Sequence, residues 1–294
     1  MKFGVLINRD SFFFVMSERK IIIQGELGCF HHEAAFKFFG ENDREFIPSN
    51  SFVELANQLD ENPSERLAIM AIENSIAGSI LQNYRILREH KFRVVGEIYL
   101  RIKHNLMALP GQRVEDIVEV RSHPMALNQC LAYLRDKQVN LIETEDTALS
   151  AKRIAQSQSK GIAAIASSRA AKIYGLDILA EGIETSLVNY TRFFIVQGGK
   201  ESVEKIEANK ASIYLRVPDG YGMLLKVLEV LNHYKISMTK LQSFPVLGEL
   251  KRYYFHLDLE FDEMSQFEGS MKDLVVCTES LEVLGTYKKA TIDD

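Results

Sequence analysis

Apolar residues fall into two kinds of pattern along this chain, and the change between them comes near residue 200. From Ile21 to Gln197, short runs rich in β-branched residues alternate with stretches whose apolar positions recur at helical spacing. That alternation is the signature of α/β architecture. It predicts strands over Ile21–Gln24, Leu67–Ile72, Val94–Ile102, Asn105–Leu109, Ile117–Val120, Leu141–Thr144, Ile162–Ala166 and Arg192–Gln197. Helices are predicted over Ile80–Arg88, Met125–Arg135 and Ala148–Gln156.

Past the charged stretch Glu201–Lys210 the rhythm differs. Ala211–Val217 reads as a strand, and Leu224, Val227, Leu228 and Leu231 mark one face of a helix. Ile236–Leu241 reads as a strand, and Tyr253, Phe255, Leu257, Leu259 and Phe261 alternate with polar residues as in a half-buried strand. Ser265–Val276 can be helical and Leu281–Tyr287 a last strand. The order βαββαβ is that of a ferredoxin-like α+β module.

A length of 294 residues with 46% apolar content allows two or three domains with substantial cores. The net charge of -5 argues against general nucleic-acid binding, and no polybasic segment is present for a membrane. No run approaches the ~20 apolar residues of a transmembrane helix. Cys29, Cys130 and Cys277 are too scattered for a disulfide framework or a zinc site, and the histidines lack ligand spacing. No metal is indicated. Phe12–Met16 is apolar, but Arg9 and Asp10 interrupt it and no small-residue cleavage site follows, so a secretory signal is not expected. Met16 is a candidate native start, and residues 1–20 are expected to be dispensable.

The predicted strand–helix junctions carry the polar chemistry. Gly25-Glu26-Leu27-Gly28-Cys29 follows the first strand and Glu73-Asn74-Ser75 the second. Ser122-His123-Pro124, Glu145-Asp146-Thr147 and Ala166-Ser167-Ser168 follow later ones. Each brings small polar residues or glycine to a helix N-terminus, where unpaired N–H groups and the helix dipole favour an anion. Any one of them reads more simply as an N-cap. Together, on one inferred sheet edge, they point to a shared anion-binding cleft.

Two segments stand out. Glu73-Asn74-Ser75-Ile76-Ala77-Gly78 offers neutral donors, with Gly78 letting a first helical turn come close. Asn189-Tyr190-Thr191-Arg192-Phe193 sets a hydroxyl and a guanidinium side by side at the start of a strand. With Gly25-x-x-Gly28, with the run from Ser122-His123-Pro124 to Gln129-Cys130, and with Asp146-Thr147-Ala148, in this order, they resemble the prephenate dehydratase family. The resemblance covers about residues 21 to 287. It departs at Cys29 and His31, where hydroxyl residues are usual, and at Ala71, where proline is usual.

What the resemblance implies is specific. The catalytic domain, residues 21–198, would have two lobes like a type II periplasmic binding protein: one from 21–101 and 177–198, the other from 102–176. It would turn prephenate into phenylpyruvate in phenylalanine biosynthesis, as a hydro-lyase without cofactor, in the cytoplasm. Thr191 is assigned to catalysis, with Arg192, Glu73, Asn74 and Ser75 beside it. Gly28, Cys29, Gly78, Ser122, His123, Thr147, Asn189 and Phe193 are the expected substrate contacts. A hydroxyl at Thr191 would donate to the departing 4-hydroxyl. Arg192 would clamp a carboxylate, although a strand arginine equally pairs with a structural one.

After a linker at 199–207, residues 208–290 resemble an ACT domain, the small ligand-binding module that commonly follows this catalytic domain. Its phenylalanine-binding segments correspond to Gly222-Met223-Leu224 and to Gln242-Ser243-Phe244-Pro245. Gly222, Ser243 and Pro245 are retained, whereas Gln242 and Phe244 replace a carboxylate and a guanidinium. Feedback by L-phenylalanine and assembly as a homodimer or homotetramer are therefore expected. Arogenate dehydration is the near alternative, and a non-catalytic two-lobed carboxylate sensor the more distant one.

Overall fold

The computed structural model describes residues 19–40, 44–199, 207–246 and 248–292. The expected dispensable segment 1–20 and the linker 199–207 lie almost wholly outside them. Contacts divide the chain into two units: Glu18–Ile86 with Ile98–Ile195 and Ile292–Asp294, and Leu87–Glu97 with Val196–Thr291. No helix among the described residues is long and apolar enough to cross a membrane.

Ile21, Ile22 and Ile23 are wholly buried at the centre of β1 (Lys20–Gln24), as a strand covered on both faces requires. β1 runs parallel to β2 (Phe46–Ser49) on one side and β3 (Arg66–Asn74) on the other. The sheet continues through β11 (Tyr190–Gln197) to β5 (Arg93–Arg101), and β4 (Gly78–Ser79) folds back on the end of β3. Helices α1 (Phe30–Phe39), α2 (Phe52–Glu61) and α3 (Leu81–Glu89) connect these strands. Hydropathy does not announce β2, which carries Pro48; proline is tolerated there because β2 is a sheet edge. Nor does Glu73-Asn74-Ser75 hand over to a helix. Asn74 Oδ1 accepts from the amides of Ile76 (3.0 Å) and Ala77 (2.9 Å), turning the chain into a hairpin before α3 begins.

The second lobe is a sheet in the order β10-β6-β9-β7-β8, from β6 (Asn105–Ala108), β7 (Glu119–Ser122), β8 (Asn140–Glu143), β9 (Ile162–Ala166) and β10 (Asp177–Ala180). β7 is parallel to β8 and β9, while β6 is antiparallel to β9 and β10. The sequence division gave residues from 177 to the first lobe. Asp177–Ala180 instead adds an edge strand to the second sheet before the chain returns. Helices here are α4 (Pro124–Gln129), α5 (Leu131–Leu134), α6 (Thr147–Ser157) and α7 (Ser168–Tyr174). The single helix expected over Met125–Arg135 breaks at Cys130 (φ -105, ψ 7), whose thiol joins a core with Leu106, Val120 and Ile165. Residues 102–105 and 181–189 carry the chain between the lobes and bond to each other. The Ile102 amide donates to Asn189 O (2.7 Å), the Ile183 amide to His104 O (3.0 Å), and the His104 amide to Glu184 Oε2 (2.9 Å).

In the C-terminal module, β12 (Lys210–Arg216), α8 (Met223–His233), β13 (Ser237–Pro245), β14 (Tyr253–Glu260), α9 (Met264–Cys277) and β15 (Ser280–Tyr287) follow the expected βαββαβ order. They form an antiparallel sheet ordered β13-β14-β12-β15. Ala211, Ile213, Leu215, Leu257 and Leu259 meet Val227, Leu231, Phe267 and Leu274 of the helices. Strand alternation sends Ser212, Tyr214, His256 and Asp258 to the other face, yet these are buried as well. The segment Leu87–Glu97 packs on that face. A Cβ on Gly285 would stand 1.9 Å from Val94 O, the Arg88 guanidinium lies over the Tyr254 ring at 4.3 Å, and Lys210 Nζ meets Glu97 at 3.0 Å and Glu260 at 3.2 Å.

Candidate active site

Thr191, buried on β11, receives a hydrogen bond from Asn74 Nδ2 at 3.0 Å. The same amide donates to Asn189 Oδ1 at 2.9 Å and to Tyr190 O at 3.3 Å. Because Asn74 Oδ1 is held by the turn amides, its nitrogen must face Thr191, and Thr191 Oγ1 must accept. Among the described residues the Thr191 hydrogen then finds no acceptor. The geometry yields a buried hydroxyl fixed as a donor. Ser75 braces the arrangement: its Oγ accepts from the Tyr190 amide (3.0 Å) and donates to Val188 O (3.2 Å), and its own amide donates to Tyr190 O (2.8 Å).

Sequence reasoning passed over two further members of this cluster. Asn189 Nδ2 donates to Gln129 Oε1 at 2.9 Å, and the same oxygen lies 2.8 Å from His104 Nε2. Phe30 meets the His104 ring edge-on at 5.3 Å. Gln129 stood inside the Ser122–Cys130 block, and its place in the last turn of α4 was the available signal. His104 is a lone histidine after a strand, and nothing in its sequence neighbours marks it.

Thr191 and Arg192 do not act as a side-by-side pair, because successive residues of a strand point to opposite faces. Arg192 lines a cleft of about 830 Å³ with Glu73, Tyr99, Arg101 and Tyr190, and Thr191 is not among its walls. The Arg192 guanidinium lies 4.7 Å from the Phe194 ring. Gly78 is exposed in the hairpin with φ 81 and nothing within 4 Å of a Cβ, so it serves the turn and not a close helix approach.

The junctions expected to share an anion cleft partly close on one another. The Gly28 amide donates to His32 Nδ1 (2.9 Å), and its carbonyl accepts from Ser167 Oγ (2.6 Å). A Cβ on Gly28 would stand 2.8 Å from Ala170 Cα. Tyr174 Oη donates to Leu27 O (2.7 Å), and Lys152 Nζ meets Glu26 at 2.6 Å. These contacts clamp the first lobe to the second. Asp146, whose carboxyl is pushed up by burial, caps α6 and crowds Gly25, which disfavours an anion at this place. Cys29 is buried and donates to Gln24 O at 3.3 Å; burial raises its thiol pKa, leaving a neutral packed group. Gly28 thus belongs to the clamp between the lobes, and Cys29 is a packed neutral group within the first lobe.

The other expected contacts are placed as follows. Ser122 is wholly buried and spends its hydrogen on Ile165 O (2.6 Å). His123 is exposed and caps α4, its Nδ1 accepting from the Met125 amide (3.2 Å). Thr147 is buried at the start of α6. Phe193 packs edge-on against His31 at 5.0 Å within the core. His31 Nε2 accepts from the Ala71 amide at 3.2 Å, a β3 amide beyond the reach of β1. Burial pushes the His31 pKa down to about 3 and that of His32 to about 4.

A sequence model of the prephenate dehydratase family matches residues 21–201. An Arabidopsis thaliana arogenate dehydratase/prephenate dehydratase, described as chloroplastic, is 38% identical over 229 residues, covering 78% of this chain and 58% of that protein. Two solved structures share the fold. One, described as a quorum-quenching acylase, has a TM-score of 0.83 at 26% identity, covering 93% of this chain and 98% of its own. The other is a prephenate dehydratase from Arthrobacter aurescens in complex with L-Phe, with a TM-score of 0.81 at 24% identity and coverage of 92% and 90%. The chain belongs to the prephenate dehydratase family, a family of hydro-lyases with a two-lobed catalytic fold.

Proposed function

We propose that this chain removes the ring carboxylate and the 4-hydroxyl of prephenate, or of its amino counterpart arogenate, to leave an aromatic product. The observation that carries this reading is the Thr191 hydroxyl, held as an acceptor by Asn74 with its own hydrogen left to donate. In the reaction the bond from the ring to its carboxylate breaks, and the electron pair enters the ring as carbon dioxide leaves. The C4–O bond then breaks with oxygen keeping its pair. Aromatisation drives both losses, so the remaining task is to stabilise charge on the departing oxygen. A buried, pre-positioned donor does this for roughly 10²–10³ in rate. The hydroxyl need not surrender its proton, because solvent can protonate the released hydroxide.

Prephenate and arogenate differ only in a keto or amino group remote from C4, and the Arabidopsis relative is named for both. The test offers each substrate separately to purified protein and measures phenylpyruvate and phenylalanine. Folded protein that turns over neither overturns the reading.

The reading extends to the C-terminal module as an ACT domain that binds L-phenylalanine, the ligand in the Arthrobacter structure. Gly222, at φ 75, ends the turn before α8 beside a cavity of about 250 Å³ whose walls include Met223, Leu224, Tyr253 and Phe255. Gln242, Ser243, Phe244 and Pro245 lie on the edge strand β13 and do not line that cavity. Pairing of two copies as a dimer, or of four as a tetramer, would be what brings the two segments to one ligand. A cytoplasmic location belongs to the same proposal.

A further inference from the structure

The hydrogen-bond chain behind Thr191 has a fixed direction. Asn74 uses its oxygen on two backbone amides and so turns Nδ2 to Asn189 and Thr191. Asn189, its oxygen now occupied, presents Nδ2 to Gln129. Gln129 must answer with Oε1, since two amide nitrogens face to face would leave both unpaired. His104 Nε2, at 2.8 Å from that same oxygen, must therefore be a donor. The imidazole is the Nε2–H tautomer with a bare Nδ1, and Nδ1 is buried with no partner among the described residues. Burial lowers the pKa of His104, in keeping with this neutral form.

His104 also occupies a particular place in the fold. It sits on one of the two segments that pass between the lobes, bonded through its backbone to Ile183 and Glu184 of the other. Its ring is only 2% exposed and meets Phe30 of the first lobe. A single imidazole thus links the crossing segments to a hydrogen-bond chain that ends on Thr191.

We propose that His104 is a positioning residue for the dehydratase reaction: it fixes the orientation of the Gln129 carboxamide and, through it, of Asn189, whose oxygen shares the Asn74 amide with Thr191. The proposal rests on the dehydratase reading. With only one donor left on its oxygen, Gln129 could rotate away, and Asn189 would lose its register beside Thr191. A misplacement of this order costs up to about 10² in rate.

His104→Phe keeps a ring against Phe30 and removes the Nε2–H. It should lower kcat by about 10- to 100-fold with KM changed less than about threefold. His104→Gln, which restores an N–H donor, should recover part of the loss. In a Gln129→Met background His104→Phe should have almost no further effect, because the two act as one unit. Nitrogen-15 spectra of the histidines in the wild-type protein should show His104 as the Nε2–H tautomer. An Nδ1–H tautomer, a fully active His104→Phe variant, or additive losses in the double variant would each overturn the proposal. Wild-type protein inert toward both substrates would overturn the dehydratase reading and this role with it; an active wild type with an unaffected His104→Phe variant overturns this role alone.

Discussion

Asn74 Nδ2 and Thr191 Oγ1 stand 3.0 Å apart, although 117 positions separate them in the chain. The direction of that bond is set by the hairpin, which uses up the Asn74 oxygen. Asn74→Asp tests it, because an ionised carboxylate can only accept. Thr191 would turn its hydrogen toward the new side chain and away from substrate. Turnover should fall by about 10²–10³ in steady-state assays, the size of a lost transition-state donor. Activity within a few-fold of wild type would show that Thr191 is not the donor.

Thr191 itself gives the companion test. Thr191→Ala should lower turnover by roughly 10²–10⁴ while the protein stays folded. Thr191→Ser keeps the hydroxyl and should retain more activity, losing mainly the methyl group that fixes the rotamer. Equal rates for the serine and alanine variants would assign the role to another group.

Gly28→Ala probes the clamp between the lobes. The added methyl would meet Ala170 Cα at 2.8 Å, on a backbone with φ 92 that disfavours any side chain. Chemical denaturation should show a loss of roughly 1–3 kcal/mol. A variant as stable as wild type would mean that the Gly28 loop and α7 separate easily.

Two buried histidines predict acid sensitivity. Burial holds His31 at about 3 and His32 at about 4, against 6.5 for an exposed imidazole. Below pH 6.5 the unfolded chain takes up protons that the folded chain refuses, so stability is lost as pH falls toward 4. The slope reaches about 1.4 kcal/mol per pH unit for each histidine. Urea unfolding at pH 7 and pH 5 measures it. His31→Gln, which can still accept from the Ala71 amide, should make the decline shallower by up to one proton; an unchanged slope would count against a neutral His31.

Phenylalanine binding is tested at Gly222. Gly222→Val places a branched residue where φ is 75 and should weaken calorimetric binding and feedback while leaving uninhibited turnover near wild type. The expected coupling is ~1–3 kcal/mol, or about 5–150-fold in apparent affinity. No phenylalanine binding to wild-type protein at millimolar ligand would leave the module without this ligand.

Periodicity made most strands and the βαββαβ order legible, because each depends on which residues are buried along one segment. It failed where a tertiary neighbour decides. Phe46–Ser49 is a strand only because β1 offers it an edge. Asp177–Ala180 becomes one by pairing with β6, and Cys130 breaks a helix whose pattern continues through it. At the site, Asn74, Asn189 and Thr191 were recognisable by their order in the chain. That Thr191 and Arg192 face opposite ways follows from strand geometry already present in the sequence reading. The clamp role of Gly28 was invisible, since it needs His32, Ser167 and Ala170 together. Gln129 and His104 mattered only through a path of hydrogen bonds that no local pattern records.

The cover that Leu87–Glu97 lays over the second face of the C-terminal sheet has a bearing on modularity. A fragment starting at 208 would carry every strand and helix of the βαββαβ unit yet lack this cover. Lys210 would lose Glu97, and Ser212, Tyr214, His256 and Asp258 would meet water on a face built to be dry. Transplanting the module into another enzyme by its apparent boundaries would therefore move an unfinished object. Its eleventh-hour neighbour in space was synthesised more than a hundred residues earlier, so on a ribosome the sheet finds its lining already waiting.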